Sequence, residues 1–136
     1  MLKKTERIHA SFFDLLGSNG DRLQSVLVCD DHPDIVTVLC RLLERNGYDV
    51  RVACDGIECL QAIEEAEPDI LLLDLMMPRL DGFGVLEEIR ERNFRKVVIT
   101  AAILTPEMRE KLEGLCDEWA IKNDLKGIAG LNFNTL

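Results

Sequence analysis

Five short apolar runs, rich in β-branched residues, alternate along the chain with segments whose apolar positions recur at helical spacing. The runs are SVLVC (residues 25–29), DVRVA (49–53), DILLL (69–73), KVVIT (96–100) and EWAIK (118–122). Strand-like runs alternating with helical segments point to βα units and a parallel sheet. Residues 70–73 and 97–99 are apolar without a break, as central parallel strands covered on both faces must be.

The helical segments are punctuated by their own start and stop signals. Pro33 suits a first helical position, Ile35, Leu39, Leu42 and Leu43 form one apolar face, and Asn46-Gly47 supplies a stop. A second helix is predicted from about Gly56, with Ile57, Leu60 and Ile63 inward, ending before Pro68 because a residue preceding proline is steered away from helix. A third follows Asp81-Gly82 and carries Phe83, Leu86 and Ile89 on one face. The fourth opens at Thr105-Pro106, places Met108, Leu112 and Leu115 inward, and closes near Gly114. The last stretch, NDLKGIAGLNFNTL, is brief and holds two glycines, which predicts a shortened or frayed fifth helix.

Ahead of the first strand, Ile8, Phe12, Leu15 and Leu16 fall on one face of a helix that Gly17 would end, and GSNGD then resembles a linker. Residues 1–24 are therefore an extension, and residues 25–136 the main domain. The apolar face of the extension either packs on the sheet or seals a homodimer; the sequence leaves both open.

Length and composition narrow the function classes. A chain of 136 residues is one domain by size, and a hydrophobic share of 47% with 30% charged residues is that of a soluble globular protein. No apolar run approaches the roughly 18 residues of a membrane span, and the first residues lack a secretory signal, so a cytoplasmic protein is expected. A net charge of −9 with scattered basic residues gives no footprint for nucleic acid or anionic lipid. The five cysteines show no C-x-x-C pair and fall mostly in apolar segments, as reduced core thiols do. His9 has no acidic or amide partner pattern around it and is expected to be a surface histidine, not a phosphotransfer site.

One feature of the stretch PDILLLDLMMPRLDG is chemically odd: a carboxylate, Asp74, ends an almost wholly apolar run. In a doubly wound parallel sheet, ligands bind outside the carboxyl ends of the strands, where strand order reverses. The first strand runs out into Asp30 and Asp31, the third into Asp74, the fourth into Thr100 and the fifth into Lys122. Clustered carboxylates repel and raise one another's pKa unless a hard cation sits among them, and Mg²⁺ fits such a set. The remaining groups suit a phosphoryl group on Asp74: a hydroxyl from Thr100, a positive charge from Lys122 and the backbone N–H of Ala101. An isolated acidic residue after a strand is more often a cap or turn residue. The agreement of four strand ends, with Pro78 and the Asp81-Gly82 turn, favours the chemical reading.

Taken together, VLVCDDHPDI, ILLLDLMMPRLDGF, VVITAA and EWAIKND resemble, in order and spacing, the receiver domain of two-component response regulators. The resemblance spans roughly residues 25–129. It implies a flavodoxin-like, doubly wound, five-stranded parallel sheet of order 2-1-3-4-5. It further implies that Asp74 takes a phosphoryl group from a phosphohistidine on a histidine kinase or phosphotransfer protein. Asp31 would bind Mg²⁺ directly, Asp30 mainly through water, and Met76 through its backbone carbonyl. Lys122 would pair with the phosphoryl group, Thr100 would move toward it, and Trp119 stands where the family has its switch aromatic, usually Tyr, Phe or His. For Trp119 the alternative is a large apolar edge residue packed on a helix. The family commonly has Lys-Pro with a cis bond, whereas Lys122 is followed by Asn123.

Met76 and Ala102 flank the expected site, and neither side chain can orient a water for attack on an acyl phosphate, so slow hydrolysis of phospho-Asp74 is expected. Only residues 123–136 follow Lys122. A stand-alone receiver that signals by protein contact or passes phosphate onward is therefore expected, although a segment cut from a hybrid kinase would read similarly. One rival is a phosphorylation-independent interaction module with the same fold. Another is a small Mg²⁺-dependent aspartyl phosphohydrolase, which usually needs a second carboxylate where Met76 stands. A flavin-binding flavodoxin fits less well, because Asp-Asp after the first strand would repel a phosphate.

Overall fold

The computed structural model describes residues 12–17 and 23–122. A short helix, α1 (Phe12–Leu16), precedes an alternation of strands and helices: β1 (Ser25–Cys29), α2 (Pro33–Arg45), β2 (Asp49–Ala53), α3 (Gly56–Glu65), β3 (Ile70–Leu73), α4 (Gly82–Glu88), β4 (Arg95–Thr100), α5 (Pro106–Leu115) and β5 (Glu118–Ile121). The strands form one parallel sheet in the order β2-β1-β3-β4-β5, the expected doubly wound arrangement.

Period-two alternation along each strand divides the core into two layers. Leu27 and Cys29, Leu71 and Leu73, and Val98 and Trp119 face α3, α4 and α5. Val26 and Val28, Ile70 and Leu72, and Val97 and Ile99 face the other way, toward α1 and α2. Complete burial of such a side chain contributes about 1.5–3 kcal/mol, which is why the central runs are apolar at every position.

Local chemistry sets the helix ends. Pro33 opens α2, and Gly47, at φ +87°, reverses the chain after it. The side chains of Asp55, Asp81 and Thr105 each accept a backbone N–H at the start of α3, α4 and α5 respectively. Helix α5 runs through Gly114 and stops at Leu115, close to the expected place. Strand β3 starts at Ile70, one residue later than expected, and the Asp69 carboxylate before it accepts the Ser25 N–H at 2.9 Å at the start of β1.

One helical face differs from expectation. In α3 the inward positions are Gly56, Cys59 and Ile63, and Ile57 is on the exposed side. The Asp55 cap fixes the start of the helix, and that phase carries Cys59 rather than Ile57 to the sheet.

The described part of the amino-terminal extension, α1, packs on the sheet. Leu15 and Leu16 are buried with Val26, Val97 and Ala120, Phe13 stacks on Tyr48 with centroids 6.1 Å apart, and Gly17 ends the helix at φ +81°. Arg95 fastens it, donating from Nε and Nη2 to the Leu15 carbonyl at 3.2 and 3.0 Å. Ile8, His9, Asn123 and the expected fifth helix lie outside the described residues.

Among the described residues, no helix is long and apolar enough to cross a membrane. The five cysteines are free thiols; Cys29, Cys59 and Cys116 are core residues, Cys40 is half-buried and Cys54 exposed. Burial, and then the contact with Cys59 at 2.8 Å between sulfurs, pushes the Cys29 thiol well above its usual pKa.

Candidate functional site at the carboxyl rim of the sheet

Parallel strands end at a common rim, and the residues that leave β1, β3 and β5 there are Asp30, Asp74 and Lys122, each 3% exposed. The rim continues the ladder: the Asp30 N–H bonds the Ala53 carbonyl at 3.2 Å and the Asp74 N–H the Cys29 carbonyl at 2.9 Å. Both carboxylates are therefore held by backbone as rigid as the sheet. The Lys122 ammonium lies between them, 2.9 Å from Asp30 Oδ2 and 3.2 Å from Asp74 Oδ2.

A pair of buried carboxylates on one ammonium leaves surplus negative charge. Burial pushes the Asp74 carboxyl above the ordinary carboxylate range and Asp30 adds to it, against the lowering effects of Lys122 and the Met76 N–H. The Met76 N–H reaches Asp74 Oδ1 at 3.3 Å, while the Met76 side chain is 60% exposed. Asp31 is exposed beside this pair. Asp30, Asp31, His32 and Asp74 each offer one ligand atom, and these atoms all lie within 4.8 Å of one another.

The loop after β3 is folded back against Asp74. A Cβ at Gly82 would lie 2.6 Å from the Asp74 carbonyl oxygen, so only glycine allows this approach. Arg79 takes φ +66°, a conformation that costs a non-glycine residue roughly 1–2 kcal/mol. Its guanidinium is anchored on Asp55, with Nε at 2.8 Å and Nη2 at 2.7 Å from Oδ2. The Glu58 N–H first, and then Arg79, hold the Asp55 carboxyl below its usual pKa. The start of α3 thus positions the loop that borders Asp74.

The remaining expected residues lie near the rim but are not all joined to it. Thr100, at the end of β4, is fully buried, and its Oγ1 accepts the Ala102 N–H at 3.1 Å. Ala101 is exposed and Ala102 half-buried. Trp119 pairs in register with Val98, two rungs below the Thr100 and Ile121 pair, and faces the α5 layer. Arg109 stacks over its ring at 5.4 Å from the centroid, and its buried Nε1 has no hydrogen-bond partner among the described residues.

His32 and the anchor formed by Arg79 and Asp55 were missed by sequence reasoning. The anchor joins residues far apart in the chain, and nothing local announces it. For His32 a signal existed: it directly follows the two aspartates and precedes the proline that fixes the helix start.

Comparison with known proteins gives consistent matches. A family model described as the response regulator receiver domain matches residues 26–116. The alkaline phosphatase synthesis transcriptional regulatory protein PhoP of Bacillus subtilis (strain 168) is 44% identical over 80 residues, covering 57% of this chain and 33% of that protein. The chain thus spans about a third of that relative. The N-terminal domain of a response regulator receiver protein from Methanoculleus marisnigri JR1 superposes with a TM-score of 0.67 at 37% identity, covering 74% of this chain and 85% of that one. The receiver domain of sensor histidine kinase PA1611 from Pseudomonas aeruginosa PAO1, crystallised with a magnesium ion in its active site cleft, has a TM-score of 0.67 at 28% identity, covering 74% and 86%.

Proposed function

This chain belongs to the family of response regulator receiver domains, and from that premise we propose that Asp74 accepts a phosphoryl group from a phosphohistidine on a histidine kinase or phosphotransfer protein. The observation that carries the reading is the environment of Asp74: a buried carboxylate at the open rim, 3.2 Å from the Lys122 ammonium. In the transfer a carboxylate oxygen of Asp74 forms the O–P bond as the N–P bond breaks. The bonding electrons leave with the imidazole, and no proton is taken from Asp74.

The residues around Asp74 suit a divalent cation, because their carboxylate oxygens converge within ligand distance of one another and, among the described residues, one ammonium, that of Lys122, offsets them. Asp31 and Asp74 would hold Mg²⁺ directly, Asp30 through water and Met76 by its carbonyl; the ion would offset the negative charge of the incoming phosphoryl oxygens. Lys122 orients the acceptor carboxylate and meets a phosphoryl oxygen. The Ala101 N–H, on an exposed turn, is a further donor.

Output follows from Thr100 and Trp119. Thr100 exchanges its bond with Ala102 for one to the phosphoryl group, which frees space along β4. Among the described residues the buried Trp119 indole N–H has no partner, which is unfavourable by about 1–3 kcal/mol and favours movement of the ring once space opens. The face of α5 and β5 then changes, and a protein partner reads it. Helix α1, docked on the sheet, moves with the domain as one unit. Neither Met76 nor Ala102 offers a side chain that positions an attacking water, and phospho-Asp74 is long-lived.

The test is incubation with acetyl phosphate and Mg²⁺ followed by mass spectrometry of the intact chain. One phosphoryl adduct is expected on the wild type and none on Asp74→Asn. An adduct of equal stoichiometry in that variant moves the acceptor elsewhere.

A further inference from the structure

His32 enters the acidic rim in a way that its place in the sequence does not require. It stands at the amino-terminal cap of α2, at φ −95° and ψ 107°, but its side chain makes no capping bond to the helix. Its backbone N–H instead bonds Asp30 Oδ1 at 2.9 Å, and the ring turns back over the carboxylates. Nδ1 lies 2.9 Å from Asp30 Oδ1, 3.2 Å from Asp31 Oδ1 and 4.0 Å from Asp74 Oδ2.

The shortest of these contacts is a hydrogen bond between the ring and the Asp30 carboxylate. The ligand atoms of Asp30, Asp31, His32 and Asp74 all lie within 4.8 Å of one another, so Nδ1 belongs to the same cluster as the carboxylates. The other edge of the ring is open, since the side chain is 57% exposed. Without a cation the Nδ1–H donates to Asp30; with a cation in the rim, a neutral imidazole would keep its proton on Nε2, facing water, and turn the Nδ1 lone pair to the ion.

Resting on the reading of this rim as a divalent-cation site, we propose that His32 Nδ1 is a metal ligand that shifts the site's preference from Mg²⁺ toward Mn²⁺ and the later first-row ions. Carboxylate, carbonyl and water oxygens suit Mg²⁺, which sheds water reluctantly. An imidazole nitrogen adds a borderline donor that gains little from Mg²⁺ and more from ions further along the Irving–Williams order. The residue after the paired aspartates thereby sets which cation serves phosphoryl transfer.

The experiment titrates the full chain with Mn²⁺ alone and with Mg²⁺ in competition, and records pulsed electron paramagnetic resonance on the Mn²⁺ form. Because loss of even an outer-shell partner of a metal site costs about 10–100-fold in affinity, His32→Ala is expected to weaken Mn²⁺ at least about tenfold, with Mg²⁺ changed less than about twofold. The wild type should show the hyperfine coupling of one directly bound imidazole nitrogen. His32→Ala should lose it, and His9→Ala, the variant of the chain's other histidine, should keep it. Equal Mn²⁺ affinity with and without His32, or no nitrogen coupling, overturns the inference and leaves the oxygen site standing. Failure of the wild type to bind either ion overturns the cation-site reading as well.

Discussion

Two lysines are buried to similar depth at opposite ends of the sheet, Lys122 at 3% exposure beyond β5 and Lys96 at 7% near the start of β4. Lys96 donates to main-chain carbonyls, 2.6 Å from that of Arg92 and 3.5 Å from that of Arg90, and its Nζ lies 5.7 Å from the centre of the Phe94 ring. Lys122 is held by two carboxylates, Asp30 and Asp74. The difference teaches that a buried ammonium does not by itself mark a site. Carbonyls that end a helical turn are fixed acceptors with no second state, whereas a carboxylate can take a phosphoryl group or a metal ion and so change what the lysine sees. One lysine closes a fold; the other, in the proposed function, holds an acceptor ready.

That contrast breaks most readily at Lys122. Lys122→Met removes the only side-chain cation bonded to Asp74 among the described residues. Phosphorylation by acetyl phosphate is expected to slow by about 10²–10³, the usual effect of removing one donor to developing charge. Lys96→Met should leave the rate within about twofold. Equal slowing in the two variants, read as adduct formation over time, would erase the functional distinction.

The converse effect is on stability. Lys96→Met leaves two carbonyls short of a donor and should cost about 1–3 kcal/mol in urea denaturation, with labelling of Asp74 intact. A smaller effect separates the lysines by pH. Burial lowers the Lys96 pKa from 10.5, against the raising effects of Asp117 and then Glu91. Between the lowered value and 10.5 the unfolded chain binds more protons than the folded one, so stability rises with pH across that window. Relative to Lys96→Met, the wild type should gain stability as pH climbs through it; a flat difference would remove burial as the cause.

Much of this was legible in the sequence because the informative signals were local. Asp74 was visible as a charge closing an apolar run, and Asp30, Thr100 and Lys122 because each follows or ends a run of the same kind. Strand order came from the resemblance to receivers rather than from the runs themselves. Ile57 misled because a short amphipathic helix can be phased two ways, and Cys59 serves as a hydrophobe in the phase the Asp55 cap selects. The docking of α1 was illegible in principle: an apolar stripe says that a face is covered, not by what, and the Arg95 bond to the Leu15 carbonyl joins distant residues. The ring direction of His32 depends on backbone angles at a helix cap, which no periodicity encodes.

The central claim is that the acidic rim is a phosphoryl site coupled to Trp119, the only tryptophan in the chain. The most direct measurement follows its fluorescence while Mg²⁺ and then beryllofluoride, a phosphoryl mimic, are added to the wild type and to Asp74→Asn. A saturable change that requires Mg²⁺ and is absent in Asp74→Asn is the predicted result. An unchanged indole signal in a wild type whose beryllofluoride binding is confirmed by fluorine NMR would contradict the coupling, and an identical response in the variant would contradict the site.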